Sequence, residues 1–329
     1  MGIKYSLLIV VALIAGVCLG VEVLGLNFLF GVVIPYLAFA LFLCGLIYRV
    51  IKWGKTPVPF RIPTTCGQQK SLDWIKSNQI DNPHTTAGVV GRMFLEILFF
   101  RSLFRNTSAQ LIGGKVSYQW EKWLWLAGLV FHWSFLIIVI RHLRFFLDPV
   151  PGFVNLLASL DGLFQVSLQA VYITGFAILA AVTYLFIRRV LIPQVRYVSL
   201  PADYFPLLII FGIALTGVLM RYFIRVDVAG VKELTIGLVT FNPTVPENIG
   251  ILFFIHLFLV SVLFAYFPFS KLVHMGGIFL SPTRNMANNN RMVRHVNPWN
   301  YPVKVHTYEE YEDDFRDKMK SVGLPVDKE

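Results

Sequence analysis

The sequence predicts an all-α integral membrane protein with about six transmembrane helices. Three observations carry that prediction. The chain is 56% apolar and 15% charged, with a mean hydropathy of +0.64, whereas a soluble domain is roughly half apolar and a quarter charged. Its apolar residues fall in uninterrupted runs, each near the roughly 20 residues that cross ~30 Å of hydrocarbon. Lys and Arg gather at the ends of those runs, and the connections alternate between basic and non-basic as the positive-inside rule requires. The net charge of +10 is therefore assigned to topology, and no nucleic-acid partner is expected.

Taken in order, the spans are 5–23, 27–50, 123–145, 163–190, 203–223 and 248–272. The first follows a lone Lys4, and Cys18-Leu19-Gly20-Val21-Glu22 is a poor signal-peptidase site, so it is kept as a helix. Two N-terminal helices (1–50) thus precede a loop (51–122), a four-helix core (123–275) and a tail (276–329). The loop is basic from Lys52 to Lys122 and is placed in the cytoplasm. Within it, Val89 to Phe100 is apolar with charges at Arg92 and Glu96, which reads as a helix on the inner membrane surface or a docking surface for a soluble subunit.

The connection from Leu147 to Asp161 has no Lys or Arg and is placed outside; Arg188-Arg189 to Arg196 returns to the cytoplasm. The stretch from Arg221 to Glu247 is balanced in charge, and the tail after Lys271 is basic. Six spans in the cytoplasmic (inner) membrane, with both termini inside, satisfy these votes. The acidic run Tyr308 to Asp314 suits a solvated end and a partner contact equally.

Cys18, Cys44 and Cys66 form neither CxxC nor CxxCH, so iron–sulfur ligation and covalent c-type haem attachment have no local support. Four of the seven histidines lie in or at the end of spans: His132 and His142 on the third, His256 and His274 on the sixth. Ionisable groups at membrane depth are functional candidates. One such histidine commonly bonds a neighbouring helix, but four on two helices match the needs of haem b, an imidazole above and below the iron from facing helices. Two pairs specify two haems.

His132 and His142 are ~15 Å apart along a helix and roughly 80° apart around it, which serves two stacked haems. His256 and His274 would be ~27 Å apart on a regular helix, a mismatch that Pro268 can relieve by kinking or ending it. Antiparallel order pairs His132 with His274 near the cytoplasm and His142 with His256 near the outside. Gly128, four residues before His132, permits close approach. Arg141 and Arg144 flank His142 and suit haem propionates or interfacial anchoring alike. Met220 and Met275 read as packing, and His84, His295 and His306 as surface residues.

The spacing His132-x9-His142, with His256 followed by Phe267-Pro268-Phe269-Ser270-Lys271-Leu272-Val273-His274, resembles the respiratory nitrate reductase gamma-subunit family of di-haem cytochromes b. Ile34-Pro35-Tyr36 and Ile192-Pro193-Gln194-Val195-Arg196 also look like that family. The first span is extra against its usual five, and the long loop departs from it. Thr65-Cys66-Gly67-Gln68-Gln69-Lys70-Ser71-Leu72-Asp73-Trp74-Ile75-Lys76 and Phe100-Arg101-Ser102-Leu103-Phe104-Arg105-Asn106-Thr107 are similar to DsrM-type cytochrome b subunits of sulfite-reduction-associated membrane complexes.

The resemblance implies that His132, His142, His256 and His274 are axial ligands to two haem b groups. It also implies menaquinone or menaquinol as substrate near the outer haem and a cytoplasmic heterodisulfide-reductase-like iron–sulfur partner. A periplasmic multihaem cytochrome c and further membrane subunits are expected beside them. The outer end of the third and fourth spans offers Arg144, Asp161 and Gln165 for quinone contacts, with Asp161 either a quinol proton acceptor or a helix N-cap. The alternatives to an electron-transfer subunit are a proton-coupled transporter and a non-redox membrane anchor.

Overall fold

The computed structural model describes residues 2–56, 58, 61, 67–162, 164–166, 169–293 and 305–328, with the side chains of 163–169 outside that description. Its six long apolar helices are Gly2–Val23, Leu29–Gly54, Lys122–Phe146, Ile173–Leu191, Pro201–Tyr222 and Ile251–Phe269. Many of their apolar side chains point outward, which in water would be a liability and in lipid is the solvent-facing surface. The chain is a multi-pass membrane protein.

The first span is α1 (Gly2–Cys18) prolonged by a π-helical turn, and the second is α2 (Ile34–Gly54), which Pro35 opens at its first turn. On the side of the loop follow α3 (Thr86–Phe99), capped by the Thr85 hydroxyl, α4 (Arg101–Phe104) and the hairpin β1 (Thr107–Ile112) and β2 (Lys115–Trp120). The third span, α5 (Lys122–Phe146), leads to α6 (Gly152–Asp161).

The fourth span begins ten residues later than the hydropathy suggests. Strand β3 (Phe164–Val166) pairs antiparallel with β4 (Gln169–Val171), and only then does α7 (Ile173–Leu191) start. Gln165, Ser167 and Gln169 alternate with apolar neighbours, the period-two pattern of a strand rather than the 3.6 of a helix. After α8 (Pro193–Val198) and α9 (Pro201–Tyr222), the charge-balanced connection folds as α10 (Val228–Val239), whose Leu234 is fully buried.

The last span, α11 (Ile251–Tyr266), gives way to 3-10 turns at Phe267–Phe269 and Lys271–Val273, and α12 (His274–Leu280) begins at the histidine itself. Pro268 cannot continue the α-helical ladder. The carbonyl of Pro268 accepts from Arg49 Nε at 2.8 Å. Gly45 lets α2 come this close, since a Cβ there would lie 2.7 Å from the proline ring. His274 is therefore not five regular turns along the helix from His256, and the axial mismatch disappears.

Helices α5, α7, α9 and α11 pack in sequence, α5 on α7, α7 on α9 and α9 on α11, while α1 and α2 cover α11 from the other side. Among the described residues α5 and α11 are not closely packed on each other. Space is left between α5, which carries His132 and His142, and α11, which carries His256 and leads to His274 at the start of α12.

The loop and the tail interlock. In α13 (Pro282–Asn285), Arg284 pairs with Glu96 of α3 at 3.2 Å and donates to Ser102. Arg61, 1% exposed, donates to the Thr283 carbonyl, and Asn288 binds both Pro83 and Asn82. This lobe is stapled to α5 by two indoles: Trp125 and Trp133 donate to the carbonyls of Phe99 and Leu98 at the end of α3. Those carbonyls have no partner within their own helix. The acidic stretch folds as α14 (Tyr308–Ser321), with a Thr307–Glu310 capping box.

Candidate functional site

The four histidines come together in pairs. His142 and His256 face each other across the gap between α5 and α11 with ring centroids 6.4 Å apart and planes 9° from parallel. His132 and His274 stand 5.9 Å apart with planes 80° apart. A metal–imidazole bond of about 2 Å, with about 1 Å more to each ring centre, puts two axial imidazoles about 6 Å apart. Both pairs meet that spacing, so the residues fit an iron centre between each.

Their hydrogen bonds fit it as well. Nδ1 of His132 bonds the Gly128 carbonyl at 2.7 Å, Nδ1 of His142 the Ile138 carbonyl at 2.7 Å, and Nδ1 of His274 the Lys271 carbonyl at 2.8 Å. Nδ1 of His256 bonds the Thr216 hydroxyl at 2.9 Å. A carbonyl can only accept, so Nδ1 carries the proton in the first three and leaves Nε2 as a lone-pair donor, the usual arrangement for a ligating histidine. Gly128 thus serves through its carbonyl; a Cβ there would meet only Leu103, at 3.5 Å. Lys271 pairs with Asp203 of α9 at 2.6 Å, fixing the segment whose carbonyl orients His274.

Aromatic rings flank the ligands. Phe100 and Phe131 pack edge-on to His132 at 4.9 and 5.0 Å, and Phe145 packs on His142 at 5.7 Å. Met220 packs against the core, whereas Met275 is exposed. Of the three histidines read as surface residues, His84 is half-buried, His306 is exposed and His295 lies outside the described residues.

Beyond the His142–His256 pair lies a basic cluster. Arg141 forms a buried ion pair with Asp161 at 2.6 Å, and its guanidinium stacks on Tyr172, 3.7 Å from the ring centre. Arg221 lies 4.1 Å from the ring centre of Tyr172, and Arg144 donates to the Tyr172 hydroxyl at 3.3 Å. Asp161 is not the N-cap of its own helix: it ends α6 and caps α7 from a distance, accepting from Thr174 N at 2.9 Å and Thr174 Oγ1 at 2.6 Å. Three guanidinium groups gather around the Tyr172 ring, only Arg141 being paired with the Asp161 carboxylate, and Nε of Arg141 and of Arg221 are buried without a hydrogen-bond partner among the described residues. Such a surplus suits carboxylates supplied by a bound group. Arg221 and Tyr172 were not legible as site residues, because only the packing of α9 against α7 brings them here. Gln165 lies in β3, and its side chain is outside the described residues.

Comparison with known proteins supplies a family. The family described as nitrate reductase gamma subunit matches residues 93–295, a range that holds all four histidines and the basic cluster. An Hdr-like menaquinol oxidoreductase cytochrome b-like subunit of Archaeoglobus fulgidus is 49% identical over 278 residues, covering 82% of this chain and 83% of the relative. Its counterpart of the same name in Archaeoglobus profundus is 43% identical over 274 residues, covering 81% of each chain. The nitrate reductase gamma chain of Bacillus subtilis is 28% identical over 163 residues, 47% of this chain and 73% of that one.

Proposed function

The chain belongs to the nitrate reductase gamma-subunit family, and from that premise we propose that it is the di-haem b electron-transfer subunit of a membrane menaquinol oxidoreductase. The observation that carries this reading is the two facing imidazole pairs, each with one histidine on α5 and its partner on α11 or at the start of α12. The names of the two archaeal relatives support the menaquinol oxidoreductase assignment.

His142 with His256, and His132 with His274, are the axial ligands in this reading. Haem held between them would supply a one-electron carrier near each face of the membrane. Arg141, Arg144 and Arg221 offer charge-assisted hydrogen bonds to propionates. Menaquinol would be oxidised at the outer end, giving two electrons to the haems in turn and two protons to the outside, with Arg144 and Gln165 as contacts and the Asp161 carboxylate receiving one of the protons. Net inward transfer of electrons from that side charges the membrane, each unit charge being worth about 2.3 kcal/mol per 100 mV.

The lobe built from the loop and the tail presents a cytoplasmic surface for a heterodisulfide-reductase-like iron–sulfur subunit; the relatives' names support an Hdr-like complex, and the iron–sulfur partner rests on the resemblance of the loop. The resemblance to sulfite-reduction-associated complexes extends this to a periplasmic multihaem cytochrome c and further membrane subunits. A dithionite-reduced minus oxidised spectrum with a pyridine haemochrome assay tests the core. Two haems b per chain are expected, falling to one in His142→Ala and in His274→Ala. Well-assembled protein without haem would overturn the reading.

A further inference from the structure

Three of the four imidazoles are oriented by their own chain segment, each bonding a main-chain carbonyl three or four residues back. His256 differs. Its Nδ1 is 2.9 Å from Oγ1 of Thr216, a buried residue on the neighbouring helix α9. The single hydroxyl proton is committed inside α9, to the carbonyls of Gly212 at 2.8 Å and Ile213 at 3.0 Å. Toward the ring the hydroxyl therefore presents lone pairs. Nδ1 carries the hydrogen, and Nε2 is the donor left to face His142.

Donation from Nδ1–H raises the basicity of the opposite nitrogen, and a more basic ligand favours oxidised iron over reduced iron. We propose that Thr216 is a positioning residue for the outer site, fixing the tautomer and plane of His256 and lowering the potential of the outer haem. The inference rests on the two-haem reading above. It deepens that reading by naming a side chain that distinguishes the two sites without touching either iron.

The test is a redox titration of the visible spectrum, with EPR of the oxidised state, on the membrane complex carrying wild-type, Thr216→Val or Thr216→Ser subunit. Valine matches threonine in shape and removes the acceptor; serine keeps it. The valine variant is expected to raise one midpoint potential, leave the other in place and alter the EPR signal of the affected haem. Serine restores both. A valine variant holding two haems with unchanged potentials and signals would overturn the assignment, and would mean that the Ile213 carbonyl, the other acceptor beside the ring, orients His256. Wild-type protein with fewer than two haems would instead overturn the two-haem reading itself, so the two failures are distinct.

Discussion

The ring of Phe100 meets the imidazole of His132 edge-on, and it is delivered there by a left-handed backbone with φ of 50°. Phe100 is the pivot between α3 and α4, where a side chain costs roughly 1–2 kcal/mol relative to glycine. Phe100→Ala keeps that strain and loses the ring; Phe100→Gly loses the ring and relieves the backbone. Hydrogen exchange of the α3 and α4 amides is expected to be fastest in the alanine variant, with glycine about 1 kcal/mol more protected. Equal exchange in the two variants would show that no strain is held at this turn.

The ring planes predict two distinguishable ferric centres. Near-parallel axial imidazoles split the iron d-orbitals rhombically, whereas near-perpendicular ones leave them almost degenerate and give a strongly anisotropic EPR signal. With planes 9° apart at His142–His256 and 80° apart at His132–His274, the more anisotropic signal should vanish in His274→Ala and persist in His142→Ala. The reverse assignment would mean that ligand planes differ from those described.

Arg141 and Asp161 are mutually dependent. Removing one partner of a buried pair costs about 3–5 kcal/mol because the other charge is stranded. Arg141→Ala and Asp161→Ala should each lower the thermal stability of the purified subunit sharply, and the double variant should lose less than their sum. Asp161→Asn separates stability from chemistry. It should slow menaquinol oxidation with haem content intact, and an unchanged rate would leave Asp161 as a cap and ion-pair partner only.

Asp81 gives the lobe built from the loop and the tail an acid limit. Burial by itself raises its pKa, but the hydrogen bonds and charges of Arg101 and Arg105 together outweigh it and hold the carboxyl below its ordinary value of 3.8. A depressed folded pKa means that the stabilisation is fully present above the unfolded value and disappears as pH falls through the folded one. Protease resistance of the lobe should therefore be flat from neutral pH to about pH 4 and fall only below it. Asp81→Asn should lose about 2 kcal/mol at neutral pH and show no such acid step.

Much of the architecture is legible in the sequence. Chain reversal alone pairs His132 with His274 and His142 with His256, because two antiparallel helices with two ligands each allow one nested arrangement. The fourth span was overextended because hydropathy averaged over residues 163–172 ignores the alternation at Gln165, Ser167 and Gln169. Helix α10 was hidden in a stretch scored only for charge. The partners of Asp161 and the approach of Arg221 to Tyr172 depend on how α5, α7 and α9 are packed, and one sequence carries no signal for that. Thr216 was invisible for a related reason, since a threonine in an apolar helix most often bonds its own preceding turn, as this one also does.

The division of hydrogen-bond acceptors among the histidines has a genetic consequence. The partners of His132, His142 and His274 are carbonyls of the polypeptide itself, present whatever side chain each codon specifies. A point mutation can shift those atoms but cannot delete them. His256 relies instead on a hydroxyl encoded at position 216, so inherited variation can retune this ligand in one step while the other three stay buffered.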